Sequence, residues 1–248
     1  MINIIMVGNG KMAVAAKDLI GNAVDMECVG TISNGWKGKE NKLSQLTREL
    51  SASDVKVHAI IDFSHPDNLE MIVESLNEYP VPLIMGTTGF TDGQIKKIET
   101  ISDQIPVVYA SNFSAGIALV RRFLKEARTA LGDGFDIEII EKHHRRKVDS
   151  PSGTAITLLN EVDPQNEFVR TYGREGMGGR SREIGIHSVR GGNIAGEHTI
   201  IFAGDDEVIE ITHRAGSNIV FAKGAIQAVR FIQNKKPGLY DMVDVLSR

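Results

Sequence analysis

The amino-acid sequence of 248 residues predicts an α/β protein of two domains, an N-terminal one on a parallel sheet and a second, α+β one on a mixed or antiparallel sheet. Short apolar runs alternate with helix-period segments through the first 110 residues, which is typical of βαβ units. From residue 183, three strand-like runs follow one another without a clear helix between them, which favours antiparallel pairing. The small residues around Ser114 suit a hinge between the two parts.

The elements of the first part follow from the period of its apolar residues. Five apolar runs predict buried strands at residues 2–7, 26–32, 59–63, 81–85 and 106–109. Helical spacing predicts helices at residues 11–20, at residues 66–77, and between the last two strands, where Ile95, Ile98 and Ile101 share one face. The crossovers between parallel strands should be right-handed.

The second part begins with a predicted helix over residues 115–131. In residues 135–141, apolar and acidic side chains alternate, which is the period-two pattern of a half-exposed strand. Further strands are predicted at residues 183–190, 198–203 and 208–213, and helices at residues 155–162 and 219–232.

Composition excludes several classes of protein. Apolar residues make up 42% of the chain, too many for a disordered protein, and no apolar run approaches the roughly 18 residues of a membrane span. The N-terminus lacks the basic region of a signal peptide, and the single cysteine, Cys28, fits a reducing cytoplasm. A net charge of −4 argues against a dedicated nucleic-acid binder. We expect a soluble cytoplasmic protein with neither a membrane nor a nucleic acid as partner.

A glycine turn links the first strand to the first helix. Its sequence is Gly8-Asn9-Gly10-Lys11-Met12-Ala13, which fits the pattern G-x-G-x-x-(G/A) between a strand and a helix. In that setting, glycines let backbone N–H groups approach a dinucleotide pyrophosphate at the helix N-terminus. A tight turn without a ligand is the alternative. We expect NADPH or NADH as cofactor.

The end of the second strand bears on the choice between the two cofactors. An acidic residue there usually holds the adenosine ribose of NAD; this sequence has Ser33 and Asn34, followed by Lys37 and Lys39. No carboxylate is placed to repel a 2′-phosphate, which favours NADPH. The lysines could instead be ordinary charges of a solvated loop.

Two further segments follow predicted strands at the edge where open α/β sheets bind ligands. They are Gly86-Thr87-Thr88-Gly89 and Ala110-Ser111-Asn112-Phe113. Their hydroxyl, amide and backbone groups suit contacts with the nicotinamide end of the cofactor. Plain turns are the alternative.

A basic cluster runs from Lys142 to Lys147 and includes His143 and His144. A solvated loop is one interpretation. A nucleic-acid patch would normally carry interleaved aromatic residues, and a zinc site would need other ligand spacing. A catalytic site is favoured because Pro151-Ser152-Gly153-Thr154 then opens a helix, whose first N–H groups can bind an anion. Lysine and histidine beside such a helix start can hold carboxylates and deliver a proton.

The string Glu141-Lys142-His143-His144-Arg145-Arg146-Lys147-Val148-Asp149-Ser150-Pro151-Ser152-Gly153-Thr154-Ala155 closely resembles the dihydrodipicolinate reductase family. The resemblance extends to the glycine turn, to both segments after the later strands, and to the C-terminal tail. It implies NAD(P)H-dependent reduction of 4-hydroxy-tetrahydrodipicolinate, a dicarboxylate, in diaminopimelate and lysine biosynthesis. It also implies a homotetramer and a Rossmann-like domain of residues 1–113 and 222–248, with a substrate and oligomerisation domain of residues 114–221.

The resemblance also implies roles for individual residues. His143 would be the active-site histidine and Lys147 the proton donor, while substrate carboxylates would contact His144, Gly153 and Thr154. Pyrophosphate contacts would come from Gly8, Asn9, Gly10, Lys11 and Met12, and nicotinamide contacts from Gly86, Thr87, Thr88, Ala110, Ser111, Asn112 and Phe113. No metal is expected. A dehydrogenase for another anionic substrate and a catalytically silent NAD(P)-sensing protein remain the alternatives, and the latter would not need His143 and Lys147.

Overall fold

The computed structural model describes residues 1–33 and 41–247. The chain forms two compact units. The first comprises Met1–Ala115 and the segment from Ile219 onward, and the second comprises Gly116–Asn218. In the part of the chain that the structure describes, no helix is both long and apolar enough to cross a membrane.

The first unit is built on a six-stranded parallel sheet in the order β11-β5-β4-β3-β1-β2. Its strands are Ile2–Val7 (β1), Met26–Ile32 (β2), Ala59–Asp62 (β3), Leu83–Met85 (β4), Pro106–Tyr109 (β5) and Gly238–Tyr240 (β11). Its helices are Lys11–Gly21 (α1), Lys42–Ala52 (α2), Leu69–Glu78 (α3), Asp92–Ser102 (α4), Ile219–Ile232 (α7) and Met242–Leu246 (α8). This parallel sheet confirms the α/β fold predicted for the first part of the chain.

The second unit contains a mixed five-stranded sheet in the order β10-β9-β6-β8-β7. Its elements are Ala115–Leu131 (α5), Asp136–His143 (β6), Gly153–Val162 (α6), Val169–Thr171 (β7), Glu183–Arg190 (β8), Glu197–Ala203 (β9) and Val208–Arg214 (β10). β6 pairs antiparallel with β9, but it pairs parallel with β8. The sheet is therefore mixed, one of the two alternatives that the sequence predicted, and β8 pairs in parallel with β6 because α6 lies between them in sequence and allows a parallel crossover.

Each sheet carries its own apolar core. Helices α2, α3 and α4 pack on one side of the parallel sheet, where fully buried side chains such as Ile72 and Ile98 meet the strands, and α1 packs beside α7. In the second unit, α5 and α6 supply Leu124, Leu158 and Leu159 to the core against β6. Burying each such side chain contributes roughly 1.5–3 kcal/mol. The functional residues thus lie at the ends of strands fixed by these cores.

Candidate active site

The glycine turn of the first unit contains two glycines with different requirements. Gly8 has a φ of +118°, and a Cβ there would lie 2.3 Å from the carbonyl oxygen of Phe63. Gly10 precedes α1 with an ordinary φ of −69°, and its Cβ would meet no atom within 4 Å. The protein itself therefore requires Gly8, whereas the space beside Gly10 is open to a ligand.

The helix that follows this turn offers its first N–H groups without competition from a side chain. α1 has no capping side chain at Gly10 and no acidic residue in its first turn, which includes Lys11 and Met12. Such a helix start attracts anions because the N–H groups and the helix dipole point the same way. A cleft of about 270 Å³ opens beside Gly8, Asn9 and Gly10. These residues fit a dinucleotide pyrophosphate.

The neighbouring strand ends are held by tight packing. A Cβ at Gly86, just after β4, would lie 2.2 Å from the Phe63 ring and 3.1 Å from that of Phe113. The two rings meet edge-to-face with their centroids 5.8 Å apart. The Thr87 hydroxyl accepts a hydrogen bond of 2.9 Å from the Ser64 backbone N–H. Phe113 and Thr87 are therefore packed inside the unit, and of the two threonines only Thr88 is exposed.

The remaining predicted cofactor residues lie at the same edge of the parallel sheet. Ala110 and Ser111 follow β5, and the Asn112 side-chain oxygen accepts from the Ser114 N–H at 2.8 Å. Ser33 directly follows β2 and is exposed. It lies beside the glycine turn, since the Gly8 N–H donates to the carbonyl of the preceding residue, Ile32, at 2.8 Å. Asn34 and Lys37 lie outside the described residues, as does Lys39.

In the second unit, His143 is the last residue of β6 and is anchored by a buried carboxylate. Its Nδ1 lies 2.5 Å from Oε2 of Glu141, a side chain with no exposed surface. Arg190 at the end of β8 donates to both oxygens of Glu141, at 2.8 and 2.6 Å. Burial alone would raise the pKa of Glu141, but hydrogen bonds from Arg190, Ser188 and His143 lower it to about 2. Glu141 is therefore a carboxylate at neutral pH.

Both buried imidazoles near this carboxylate are neutral at pH 7. Burial lowers the pKa of His143 below its ordinary value, and the opposing effect of Glu141 does not restore it. His198 on β9 meets the His143 ring edge-to-face at 5.1 Å. Burial is the main cause that lowers the pKa of His198 to about 4. A neutral imidazole keeps one ring nitrogen as a hydrogen-bond acceptor.

The turn after β6 carries Lys147 in an ion pair. Its Nζ lies 2.8 Å from Oδ1 of Asp149. Burial acts to raise the pKa of Asp149, but the hydrogen bond from Lys147 and, more weakly, one from the Gly153 backbone lower it. The start of α6 and Lys147 together thus accommodate a carboxylate. His144, which precedes this turn, keeps a buried Nδ1 with no hydrogen-bond partner in the described part of the chain.

The start of α6 is shaped by Ser152. Its hydroxyl accepts from the Ala155 N–H at 3.1 Å and bonds to Nε2 of His198 at 3.0 Å. No acidic residue occupies the first turn, where Gly153 is exposed and Thr154 is half-buried. A Cβ at Gly153 would meet no atom within 4 Å, so this helix start also has room for an anion.

Family models match nearly the whole chain. The N-terminal model of dihydrodipicolinate reductase covers residues 2–113 and the C-terminal model covers residues 116–246. The chain belongs to the dihydrodipicolinate reductase family. Membership confirms the resemblance found in the sequence and identifies this member as an oxidoreductase, a 4-hydroxy-tetrahydrodipicolinate reductase of diaminopimelate and lysine biosynthesis.

Individual relatives agree with this assignment over their full length. A 4-hydroxy-tetrahydrodipicolinate reductase of Clostridium novyi is 39% identical over 99% of this chain and 98% of the relative. One of Methanoregula boonei is 41% identical over 96% and 94%. A solved dihydrodipicolinate reductase from Paenisporosarcina sp., with dipicolinate bound, covers both chains completely with a TM-score of 0.77 at 24% identity. It confirms the predicted fold.

Sequence reasoning singled out the histidines and Lys147 but missed their supporting residues, Glu141, Arg190 and His198. One signal for Glu141 was available. The period-two alternation of β6 buries Ile137, Ile139, Glu141 and His143 on one face. A carboxylate on the buried face two residues before a histidine indicates a pair, because an unpaired buried charge is costly.

Proposed function

We propose that this reductase acts on 4-hydroxy-tetrahydrodipicolinate through His143 and Lys147, with NADPH favoured over NADH. The observation that carries the proposal is the Glu141-anchored His143 at the end of β6, followed within ten residues by the ion-paired Lys147 and the open start of α6. This arrangement offers one proton donor, one neutral imidazole and one site for a carboxylate. A protein that only sensed NAD(P) would need none of them.

The glycine turn and the two later segments would hold the cofactor, which supplies a hydride when bound. The N–H groups of Lys11 and Met12 would face the pyrophosphate, with Gly10 giving room for close approach. Asn9 lines the same cleft. The backbone of Gly86 and Ala110, with Thr88, Ser111 and Asn112, would face the nicotinamide end. Thr87 and Phe113 would act by fixing that edge, because both are buried.

The substrate is proposed to be bound by groups that recognise carboxylates. The first N–H groups of α6, at Gly153 and Thr154, and the imidazole of His144 are suited to this role. A carboxylate from the chain itself, Asp149, already pairs with Lys147 beside this helix start. The dicarboxylate dipicolinate in the solved Paenisporosarcina reductase agrees with this substrate class.

Reduction of the ring leaves an electron-rich carbon that must take up a proton. We assign the donation to the ammonium group of Lys147, because His143 is neutral and its Nδ1 faces Glu141. Burial of Lys147 is substantial, with 22% of its side chain exposed, so a proton held there is partly shielded from water. His143 would orient the substrate by accepting a hydrogen bond.

Substitution of both residues tests this assignment. Loss of a positioned general acid costs about 10²–10⁴-fold in rate. We expect Lys147→Ala and His143→Ala to lower kcat by that order while leaving the NADPH dissociation constant, measured by fluorescence, unchanged. Lys96→Ala, on the exposed face of α4, serves as the control. If Lys147→Ala kept more than half of the wild-type kcat at saturating substrate, Lys147 would not be the donor.

We further propose a cytoplasmic homotetramer assembled through the second unit, as the family resemblance implies. Apolar side chains at the surface of its sheet support this proposal, among them Val189, Val208 and Ile209, which are 43%, 59% and 37% exposed. Light scattering on the purified protein gives the mass directly. A monomer at micromolar concentration would contradict the proposal.

A further inference from the structure

One buried carboxylate joins four segments of the second unit. Glu141 lies on β6 two residues before His143 and contacts it through Oε2. Its Oε1 accepts from the Ser152 backbone N–H at 3.1 Å, at the start of α6. Arg190 of β8 bridges both oxygens and also donates to the Asp149 carbonyl at 2.7 Å. Glu141 thus connects the end of β6, which carries His143, with the turn at Asp149 and the start of α6.

The contacts of His143 define how its ring is presented. A carboxylate only accepts hydrogen bonds, so the proton of the neutral ring must sit on Nδ1, facing Glu141. The backbone of His143 is fixed as well, since its carbonyl accepts from the Gly191 N–H at 2.9 Å. On the other side, a Cβ at Gly196 would lie 3.2 Å from Nε2. The glycine therefore leaves space around an Nε2 that carries a lone pair.

The charges around His143 come from every element packed against it. Its own strand, β6, supplies Glu141, and the turn that follows supplies Lys147. The cation Arg190 comes from β8, and the ring of His198 comes from β9. The two cations and burial disfavour a charged imidazole, while Glu141 favours it. The net result is a neutral His143 whose single proton is directed by Glu141.

We propose that Glu141 is a positioning residue, which holds His143 as the Nδ1–H tautomer with Nε2 as an acceptor and fixes the start of α6 through Ser152. The role in catalysis rests on the proposed function of His143. The tautomer itself does not, because it is set by contacts within the second unit.

The tautomer can be measured directly by long-range ¹⁵N–¹H correlation spectra of the histidine rings at pH 7.5, with His143 assigned by comparison with His143→Ala. In the wild type we expect a protonated Nδ1 and an unprotonated Nε2. In Glu141→Gln the amide NH₂ must replace one accepting oxygen, and facing His143 it would move the ring proton to Nε2. A wild-type ring protonated on Nε2 would overturn the proposal without any variant.

Glu197→Gln is a matched control. Glu197 is a buried carboxylate of the same sheet, and it pairs with Arg214 at 2.5 Å and with Lys142 at 2.7 Å. It therefore resembles Glu141 in burial and ion pairing. The difference is that its carboxylate pairs with Lys142 and Arg214, whereas that of Glu141 contacts the His143 ring. We expect the His143 spectrum to be unchanged in this variant.

Glu141→Gln leaves the Arg190 charge without its partner, and breaking a pair in this way is strongly destabilising. The double variant Glu141→Gln/Arg190→Met removes both charges and keeps the side-chain volumes. We expect it to fold, with kcat at least about 10-fold lower and with an unchanged NADPH dissociation constant.

The pH profile separates positioning from mere stability. Glu141 raises the pKa of His143, so its neutralisation should shift the acid limb of kcat toward lower pH, which Glu197→Gln should not do. A folded double variant with wild-type kcat and an Nδ1–H ring would overturn the proposal. If His143→Ala were fully active, the proposed function of His143 would fail, while the ring spectra would still decide whether Glu141 positions it.

Discussion

Replacement of the buried Asp62 by asparagine should change the pH dependence of stability. Asp62 ends β3, is 1% exposed, and accepts a hydrogen bond of 2.5 Å from the Ser64 hydroxyl at Oδ1. Its Oδ2 has no hydrogen-bond partner among the described residues. Burial raises the pKa of Asp62 to about 6, even though hydrogen bonds from Ser64 and Thr87 act to lower it.

The sign and size of the effect follow from linkage. The folded state binds the Asp62 proton more tightly than the unfolded state, whose pKa is near 3.8. The resulting stabilisation is complete below pH 3.8 and is lost as the pH rises through about 6. The shift of about two pKa units corresponds to about 3 kcal/mol. Asp62→Asn does not titrate and has no such loss. The free energy of unfolding of Asp62→Asn, relative to that of the wild type, should therefore be about 3 kcal/mol higher at pH 7 than at pH 4.

Urea unfolding followed by circular dichroism at several pH values between these limits measures the difference. Asp18→Asn, on the exposed face of α1, is the control, because water solvates both forms of that carboxyl. The difference in free energy of unfolding between Asp62→Asn and the wild type should grow between pH 4 and pH 7. The corresponding difference for Asp18→Asn should stay constant over that range. A difference for Asp62→Asn that did not vary with pH would refute the reasoning.

The remaining predictions concern the two ligand sites. Gly8→Ala should destabilise the protein by about 1–3 kcal/mol through backbone strain. Gly10→Ala should change stability by less than about 1 kcal/mol, yet weaken NADPH binding at least 10-fold in fluorescence titrations. Gly153→Val should raise the KM for the dicarboxylate without changing NADPH affinity, because its side chain would block close approach to the first N–H groups of α6. NADPH should be used at least as well as NADH, with a several-fold, salt-sensitive preference from a surface charge pair of about 1 kcal/mol.

Each of these predictions has a contrary outcome. If Gly10→Ala kept its affinity for NADPH, the glycine turn would not be the pyrophosphate site. Lost cofactor binding with a normal KM in Gly153→Val would mean that the start of α6 is misassigned. A clear preference for NADH at low salt would contradict the reasoning from Ser33, Asn34 and Lys37. Wild-type stability of Gly8→Ala would contradict the close contact with Phe63.

Buried strands were the most predictable part of the fold. Those at residues 2–7, 26–32 and 106–109 match β1, β2 and β5. For β1 and β5 the signal is an apolar run, as expected for strands covered on both faces. The three-residue strands β7 and β11 were missed, since they are too short for a pattern and expose Val169 and Leu239. Helix α2 was missed too, because its few apolar residues are outnumbered by polar ones.

The candidate site likewise contains some residues that could be predicted from the sequence and others that could not. His143, His144 and Lys147 are local in sequence and could be found there. Arg190 meets Glu141 across 49 positions of sequence, and only the parallel register that sets His143 opposite Arg190 brings them together. That register depends on the parallel pairing of β6 with β8, which the prediction of a mixed or antiparallel sheet did not specify. The predicted end of β6 at residue 141 also fell two residues short, because polar residues at a strand end carry no apolar signal.

The glycines show why a motif alone does not separate structure from function. A Cβ at Gly224 would lie 1.7 Å from the Phe113 carbonyl oxygen. Helix α7 can therefore pack this close to the segment after β5 only because residue 224 is a glycine. Gly8 is likewise fixed by protein backbone. Gly10 and Gly153 meet nothing within 4 Å, and each stands at the start of a helix without an acidic residue in its first turn. No contact within their own units explains these two glycines, and a bound anion at each helix start would, with pyrophosphate at Gly10 in the first unit and a substrate carboxylate at Gly153 in the second.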